Sequence, residues 1–421
     1  MLFGAVSIFL TFLLARRFLP PAFAATAALL LAADPMFLLT GCFDWGPVAL
    51  QHLLALLMVW AAMRTQETRH WTWAGAAGIA AGLGIWDKIS FLWLLAGLLA
   101  AVLVMGGGQA LRVWRNWRLS AAAVVGAVIG SAPFLRYNLR FDMASFRATA
   151  GLDFTQLGMK VKVLWLTLDG SALFGFLVND SGRAGWLSAS VQGYVLLAAL
   201  AAIPFLPEYR RSASFLATWF GVTFFLMVVM KNAGDSAHHT ILLWPLPQLL
   251  IVAAAAGLWS RGSTARWLTA LSIVAVVVSG LLVTGRYIHL AREEGPGSQW
   301  TPASALLARR LEQSKAPAIF VADWGILDPL RLNVSGRLPL LAGSDTVVVL
   351  LDRLQGDWRL ALLKDRNTLV VTHPVRLLNF AGANERLDAW AAGQGLRKVP
   401  VEEVADKWGV TQFELYRYEP K

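Results

Sequence analysis

The sequence predicts a polytopic α-helical membrane protein, with about ten spanning helices followed by a small C-terminal α/β extracytoplasmic domain. Three observations carry this reading. Of 421 residues, 57% are hydrophobic and only 15% are charged, which is not a soluble globular composition. The apolar residues fall in blocks long enough to cross a hydrocarbon core of roughly 30 Å, which takes about 20 residues of helix. From about residue 290 onward charged residues become frequent, and short β-type runs alternate with helix-type runs. The chain therefore divides into a membrane domain, 1–290, and a further domain, 291–421.

The expected spans are 1–15, 22–40, 46–63, 72–86, 89–105, 120–136, 186–206, 213–230, 240–258 and 266–286. The fourth and fifth are short and are split by "WDKIS". One set of short loops holds Arg16 and Arg17, Arg64 and Arg69, Arg112, Arg115 and Arg118, Arg210 and Arg211, and Arg261 and Arg266. The opposite short loops hold almost no basic residues. The positive-inside rule makes the first set cytoplasmic, and long loops such as 137–185 escape that rule. Asp44, Asp87, Lys88, Asp235, His238, His239 and the domain after residue 290 then lie outside. So does Met1. Either the first helix inserts as a reverse anchor or a longer natural chain supplies an earlier helix, and the second is the expectation here.

Beyond residue 290, "TPASALLARRLEQS" reads as a helix with Thr301 at its N-cap and Pro302 at its first position. "AIFVAD" and "TLVVTHP" read as short buried strands. "NERLDAWAAGQG" reads as a helix ended by Gly393 or Gly395, and "FELYRYE" as a final strand.

Several classes are disfavoured. The net charge of +11 sits in short clusters between apolar blocks, which is topology signal and not a nucleic-acid face. The single cysteine, Cys42, permits no internal disulfide. The first apolar run precedes its charges, the reverse of a cleavable signal. P-loop, HExxH, CxxC and GxSxG patterns are missing, which argues against a nucleotide-driven pump.

The candidate functional residues collect at the outer ends of the spans. Asp44, in "TGCFDWG", is either a site carboxylate or the cap of the next helix. Lys88 either contacts a phosphate as a point charge or snorkels from a short helix. In "KNAGDSAHH" adjacent imidazoles diverge by about 100° on a helix, so at most one of His238 and His239 is expected to point into a given site. Imidazole binds metals when neutral and phosphate when charged. Asp235 could orient a ring or join a divalent-metal site with His239. The alternative is a polar helix entrance wetted at the interface. No cofactor is demanded by any motif. Arg136, Arg140, Arg147, Lys160 and Lys162 lie among aromatic and aliphatic residues, as in a segment resting on outer-leaflet lipids. Their charges suit either an anionic head group or ordinary interface anchoring.

With those residues in view, "LARRFLPPAFAATAALLLAADPMFLLTGCFDWGPVALQHLLALLMVWAAMR" resembles the early core of bacterial membrane glycosyltransferases of the GT-C class, relatives of protein O-mannosyltransferases and of the aminoarabinose transferase that modifies lipid A. "AGLGIWDKISFLWLLAGLLAAVLV" is similar to that family's Gly-Leu helix and Lys-containing break, and "AHHTILLWPLPQLLIVAAAAGLW" to its late helix. The resemblance covers about residues 1–290. It implies transfer of a sugar from a polyprenyl-phosphate donor to an envelope acceptor at the outer face of the cytoplasmic membrane, with inversion. Under it, Asp44 matches the second acidic position and is the expected catalytic carboxylate. Lys88 matches the basic break. His238 or His239 matches a late-helix position that meets metal or donor phosphate. Lys231 and Arg136 are further candidates for the phosphate. The family's main acid lies in a first outer loop that this sequence does not contain.

Two other classes compete. A lipid-linked sugar transporter needs ionisable residues deep in its helices, and the apolar runs here read as nearly charge-free. A catalytically incomplete scaffold or subunit presenting the C-terminal domain is the other.

Overall fold

The structure is a computed structural model that describes residues 1–43, 46, 48–105, 112–178, 191–344, 346–347 and 358–421. The chain forms two compact units, Met1–Leu173 with Ala184–Gly285, and Phe174–Arg183 with Arg286–Lys421.

The first unit is helical. It contains α1 (Leu2–Ala15), α2 (Pro21–Ala32), α3 (Pro35–Cys42), α4 (Val48–Thr68), α5 (Trp71–Asp87), α6 (Phe91–Met105) and α7 (Trp117–Arg140). Then come α8 (Ala144–Thr149), α9 (Leu157–Leu168), α10 (Val191–Ala202), α11 (Arg210–Val229), α12 (Ala237–Thr240), α13 (Leu246–Trp259) and α14 (Ser263–Glu293), the last of which runs on into the second unit. Each of the ten expected stretches is mostly helical where it is described. Among the described residues five helices are long and apolar enough to cross a membrane, or six if the bent pair α2–α3 is one span. Leu2–Ala15, Phe91–Met105 and Val191–Phe205 are apolar but shorter. The protein is a multi-pass membrane protein.

Two expected spans are broken. The stretch 22–40 bends by 59° between α2 and α3. Pro35 has no N–H to continue the ladder, and Asp34 leaves helical geometry to cap α3, accepting from Phe37 N at 3.0 Å. The stretch 240–258 begins as the single turn α12 and a 3-10 turn, Ile241–Leu243, before Pro245 leads into α13.

α5 and α7 approach backbone to backbone. A Cβ on Gly82 would stand 2.2 Å from Ala127 O, and one on Gly126 would stand 2.3 Å from Gly75 O. Small residues at helical spacing let two membrane helices come this close.

The second unit holds a five-stranded sheet in the order β2-β1-β3-β5-β4, formed by β1 (Ile319–Val321), β2 (Leu340–Ala342), β3 (Leu369–Thr372), β4 (Leu396–Ala405) and β5 (Thr411–Pro420). β1 pairs in parallel with β2 and β3, while β5 runs antiparallel to β3 and β4. β1 and β3 are buried along their whole length, which matches their unbroken apolar runs. α15 (Ala303–Ser314), α16 (Leu327–Val334) and α17 (Ala383–Gly393) accompany the sheet. α15 starts one residue later than expected, with Thr301 Oγ1 accepting from Ala303 N at 3.2 Å. One core gathers Leu307, Leu311, Ile319 and Leu415, and another gathers Phe320, Val370, Leu387 and Tyr416. Alternation along β5 sends its residues into both.

Candidate functional site

Lys88 is where α5 stops. Its backbone is extended (φ −158°, ψ 128°), so the helix ends at Asp87 and restarts at Phe91. The half-buried side chain reaches back over α12, and Nζ donates to the carbonyl oxygen of His238 at 3.3 Å. Loss of hydration pushes Lys88 down to about 8, against the opposing pull of Asp87 and Asp235.

The residues before α12 are held from below. α11 ends at Met230, which forms an antiparallel bridge with Leu152. Asp153 N donates to Val229 O at 2.8 Å and Lys231 N to Gly151 O at 3.0 Å. Lys160 of α9 crosses beneath and donates from Nζ to Val228 O at 3.0 Å and Met230 O at 2.7 Å. It is 1% exposed, so this lysine is not the lipid-interface anchor that its loop suggests. It is a cationic cap on the C-terminus of α11, where the helix dipole favours positive charge.

The chain then turns at Gly234 (φ +70°), where a Cβ would also stand 2.8 Å from Met227 O. This delivers Asp235, Ser236, His238 and His239 together. Ser236 Oγ pairs with His238 Nδ1 at 2.8 Å. His239 Nδ1 lies 2.9 Å from Asp235 Oδ1 but off the hydrogen-bond axis, so it has no aligned partner. The contact with His239 holds Asp235 below the usual carboxylate range. The two ring centroids are 4.3 Å apart on the single turn α12, with only His238 hydrogen-bonded through Nδ1.

The other candidates sit apart from this group. Lys231 is exposed beside the 151–153 segment, and Arg136 is exposed near the end of α7. Neither makes a side-chain hydrogen bond or ion pair to Lys88 or the histidines among the described residues. Asp44 lies outside the described residues. Among the described residues no group of three or more His, Cys, Asp or Glu gathers as metal ligands, and Asp235 with His239 makes a pair.

The apolar runs are less free of charge than they read. Asp34 is 2% exposed and accepts from Trp244 Nε1 at 2.6 Å, Gln248 Nε2 at 2.9 Å and Gln192 Nε2 at 3.1 Å, besides Phe37 N. His52 of α4 is buried as well, with Nε2 2.7 Å from Ile241 O. These contacts pin the breaks at Asp34 and at residues 241–245 to each other, directly after the histidine turn. The signal for Asp34 is an Asp-Pro step inside an apolar run, which is a helix start and not a helix interior.

What this arrangement offers is a half-buried cation beside two imidazoles, on a framework fixed by buried hydrogen bonds. These groups have the chemistry to receive an anion, the lysine as a charge and the imidazoles as N–H donors.

Comparison with known proteins follows the same lines. Residues 1–137 match the family model of dolichyl-phosphate-mannose-protein mannosyltransferase. No curated protein matches the chain by sequence. The structure of ArnT from Cupriavidus metallidurans in the apo state superposes with a TM-score of 0.58 at 18% identity, covering 99% of this chain and 82% of that one. ArnT from the same organism bound to undecaprenyl phosphate gives 0.57 at 15% identity, with the same coverage. The fold is that of these ArnT structures, in line with the resemblance.

Proposed function

We propose that the chain is a membrane glycosyltransferase that takes a sugar from a polyprenyl-phosphate donor and places it on an envelope acceptor at the outer face of the cytoplasmic membrane. The observation that carries this is the meeting of Lys88 with the His238–His239 turn across 150 residues of sequence, on a fold shared with a protein that binds undecaprenyl phosphate.

The chemistry follows from charge. The acceptor hydroxyl attacks the anomeric carbon as the bond from that carbon to the phosphate oxygen breaks, with inversion. The departing electron pair stays on the polyprenyl phosphate, whose growing negative charge is stabilised by Lys88 and by an N–H donated from a neutral imidazole, since burial and the nearby Lys88 charge disfavour protonation of His238 and His239. Asp44 receives the hydroxyl proton as general base. Lys231 and Arg136, exposed and separate from the mouth, draw the anionic donor toward it. Asp235 with His239 would hold a divalent cation only with a further ligand or the donor phosphate itself. The charge rule assigns the C-terminal domain to the extracytoplasmic side of the membrane.

The test is a transfer assay on the full chain in lipid nanodiscs, with a panel of polyprenyl-phosphate sugars. Turnover that is lost in Lys88→Met and in Asp44→Asn is the expected result. A chain that binds no polyprenyl phosphate and turns over no donor would instead be a scaffold.

A further inference from the structure

A cavity of about 890 Å³ runs between α1, α4, α6 and α11, from Arg69 and Arg211 at one end to Leu94 and Trp244 at the other. Its size is at the upper end of the range for small-molecule sites, about 300–1,000 Å³. The walls are apolar, with Val59, Leu98, Phe215 and Leu216 among them, and Trp244 closes the deep end. Trp219, which also lines it, donates Nε1 to Leu94 O at 2.9 Å and so fixes α11 to α6 across one side.

Two observations say what fits. The first is depth. The lining runs along α4 from Ala55 to Gln66 and along α6 from Leu94 to Met105. At about 1.5 Å per residue each stretch is roughly 16 Å long, half of a hydrocarbon core of about 30 Å. The cavity is therefore one leaflet deep.

The second is charge. Arg69, directly after α4, and Arg211, at the start of α11, both border the mouth and are both exposed. Nearby, Arg17 and Arg64 share the carboxylate of Glu67. Arg69 and Arg211 have no ion pair among the described residues. Two uncompensated guanidinium groups over an apolar slot complement a phosphate carried on hydrocarbon chains. These arginines belong to the basic loops that the positive-inside rule assigns to the cytoplasm.

We infer that this cavity is a binding site for an anionic glycerophospholipid of the cytoplasmic leaflet, with its phosphate on Arg69 and Arg211 and an acyl chain reaching toward Trp244. The arginine-bordered opening is at the far end of these helices from Lys88, while the deep end reaches Trp244, close after the histidine turn; the inference stands whether or not the chain transfers sugar.

Native mass spectrometry of the full chain, titrated in detergent with phosphatidylglycerol, phosphatidylcholine or undecaprenyl phosphate, tests it. Phosphatidylglycerol is expected to stay bound in preference to phosphatidylcholine. The pair Arg69→Gln and Arg211→Gln is expected to weaken retention about fivefold per arginine, and Arg69→Lys with Arg211→Lys to restore most of it. Leu98→Trp fills the slot without changing charge and is expected to lower retention while leaving the arginines in place, which keeps the test decisive if the glutamine pair fails to fold. Equal retention of the two glycerophospholipids overturns the inference. So does phosphatidylglycerol binding that ignores both sets of variants, or an arginine-dependent preference for undecaprenyl phosphate.

Discussion

Trp244 donates its indole N–H to Asp34 at 2.6 Å, tying together two helix breaks that lie 210 residues apart. With Gln192 and Gln248 donating to the same oxygen, the carboxyl group is a knot between α2–α3, α10 and α13. Trp244→Phe keeps an aromatic ring but removes the N–H donor and part of a buried side chain, and is expected to cost about 2 kcal/mol or more. Asp34→Ala strands three buried donors and costs more. Thermal unfolding of the full chain in detergent reads both, and equal midpoints for wild type and variants would show that the knot contributes nothing.

Under the proposed function, Lys88 is expected to govern the pH response of phosphate binding. A charged lysine holds an anion better than a neutral one, and burial brings its proton loss down to about 8. Affinity for undecaprenyl phosphate should therefore stay nearly level from pH 7 toward 8 and then fall, about tenfold per pH unit, well below the range of an ordinary lysine. Lys88→Met should bind at least tenfold more weakly and lose this limb. Binding by calorimetry or fluorescence across pH 6.5–10 checks both points, and a wild-type profile that stays flat to pH 10 contradicts them.

The histidine turn is expected to act on the donor. His238→Ala combined with His239→Ala should reduce sugar transfer by roughly 10- to 100-fold, the loss of a hydrogen bond to a charged group, with little change in melting. Transfer at the wild-type rate would move the pair to wetting the helix entrance.

Lys160→Met removes the donor to two carbonyls at once. The predicted cost is about 1–3 kcal/mol. It should appear locally, as faster hydrogen exchange at residues 151–153 and 229–232. Slow exchange throughout would mean that water replaces the ammonium without penalty.

Gly82→Leu forces α5 off α7, since even a Cβ there meets backbone at 2.2 Å. Overpacking of this kind costs about 1–3 kcal/mol or more. Gly221→Leu, where nothing lies within 4 Å of an added Cβ, serves as the control. Only the first is expected to lower the melting temperature.

The membrane architecture is readable in the sequence because apolar length is a strong signal that survives without any tertiary knowledge. So are β1 and β3, whose apolar runs are short and bounded. Lys88 and the His238–His239 turn stand out by their polarity at the ends of apolar blocks. Topology alone puts them at one outer mouth, but the direct contact of Lys88 Nζ with the His238 carbonyl is not legible, since it depends on the fold that brings residue 88 to residue 238. Asp34 escapes for a different reason. A window of about 19 residues averages one carboxyl group away, and only the Asp-Pro step marks the break. The company of its loop points Lys160 to the interface, whereas its partners are backbone carbonyls, which no side-chain pattern records. β2 and β4 are partly buried or edge strands with mixed residues, and they become visible only through pairing.

The contact between α5 and α7 has a mechanical side. With backbone against backbone and no side chains between, the two helices form a plank that cannot flex along its seam. A bilayer that thins or thickens is met by tilt, and any tilt of one helix is a tilt of both. Lys88 ends one edge of the plank and Arg140 the other. The lysine and the start of the outer loop must rise or sink together, so membrane thickness shifts the mouth as a piece instead of prising it open.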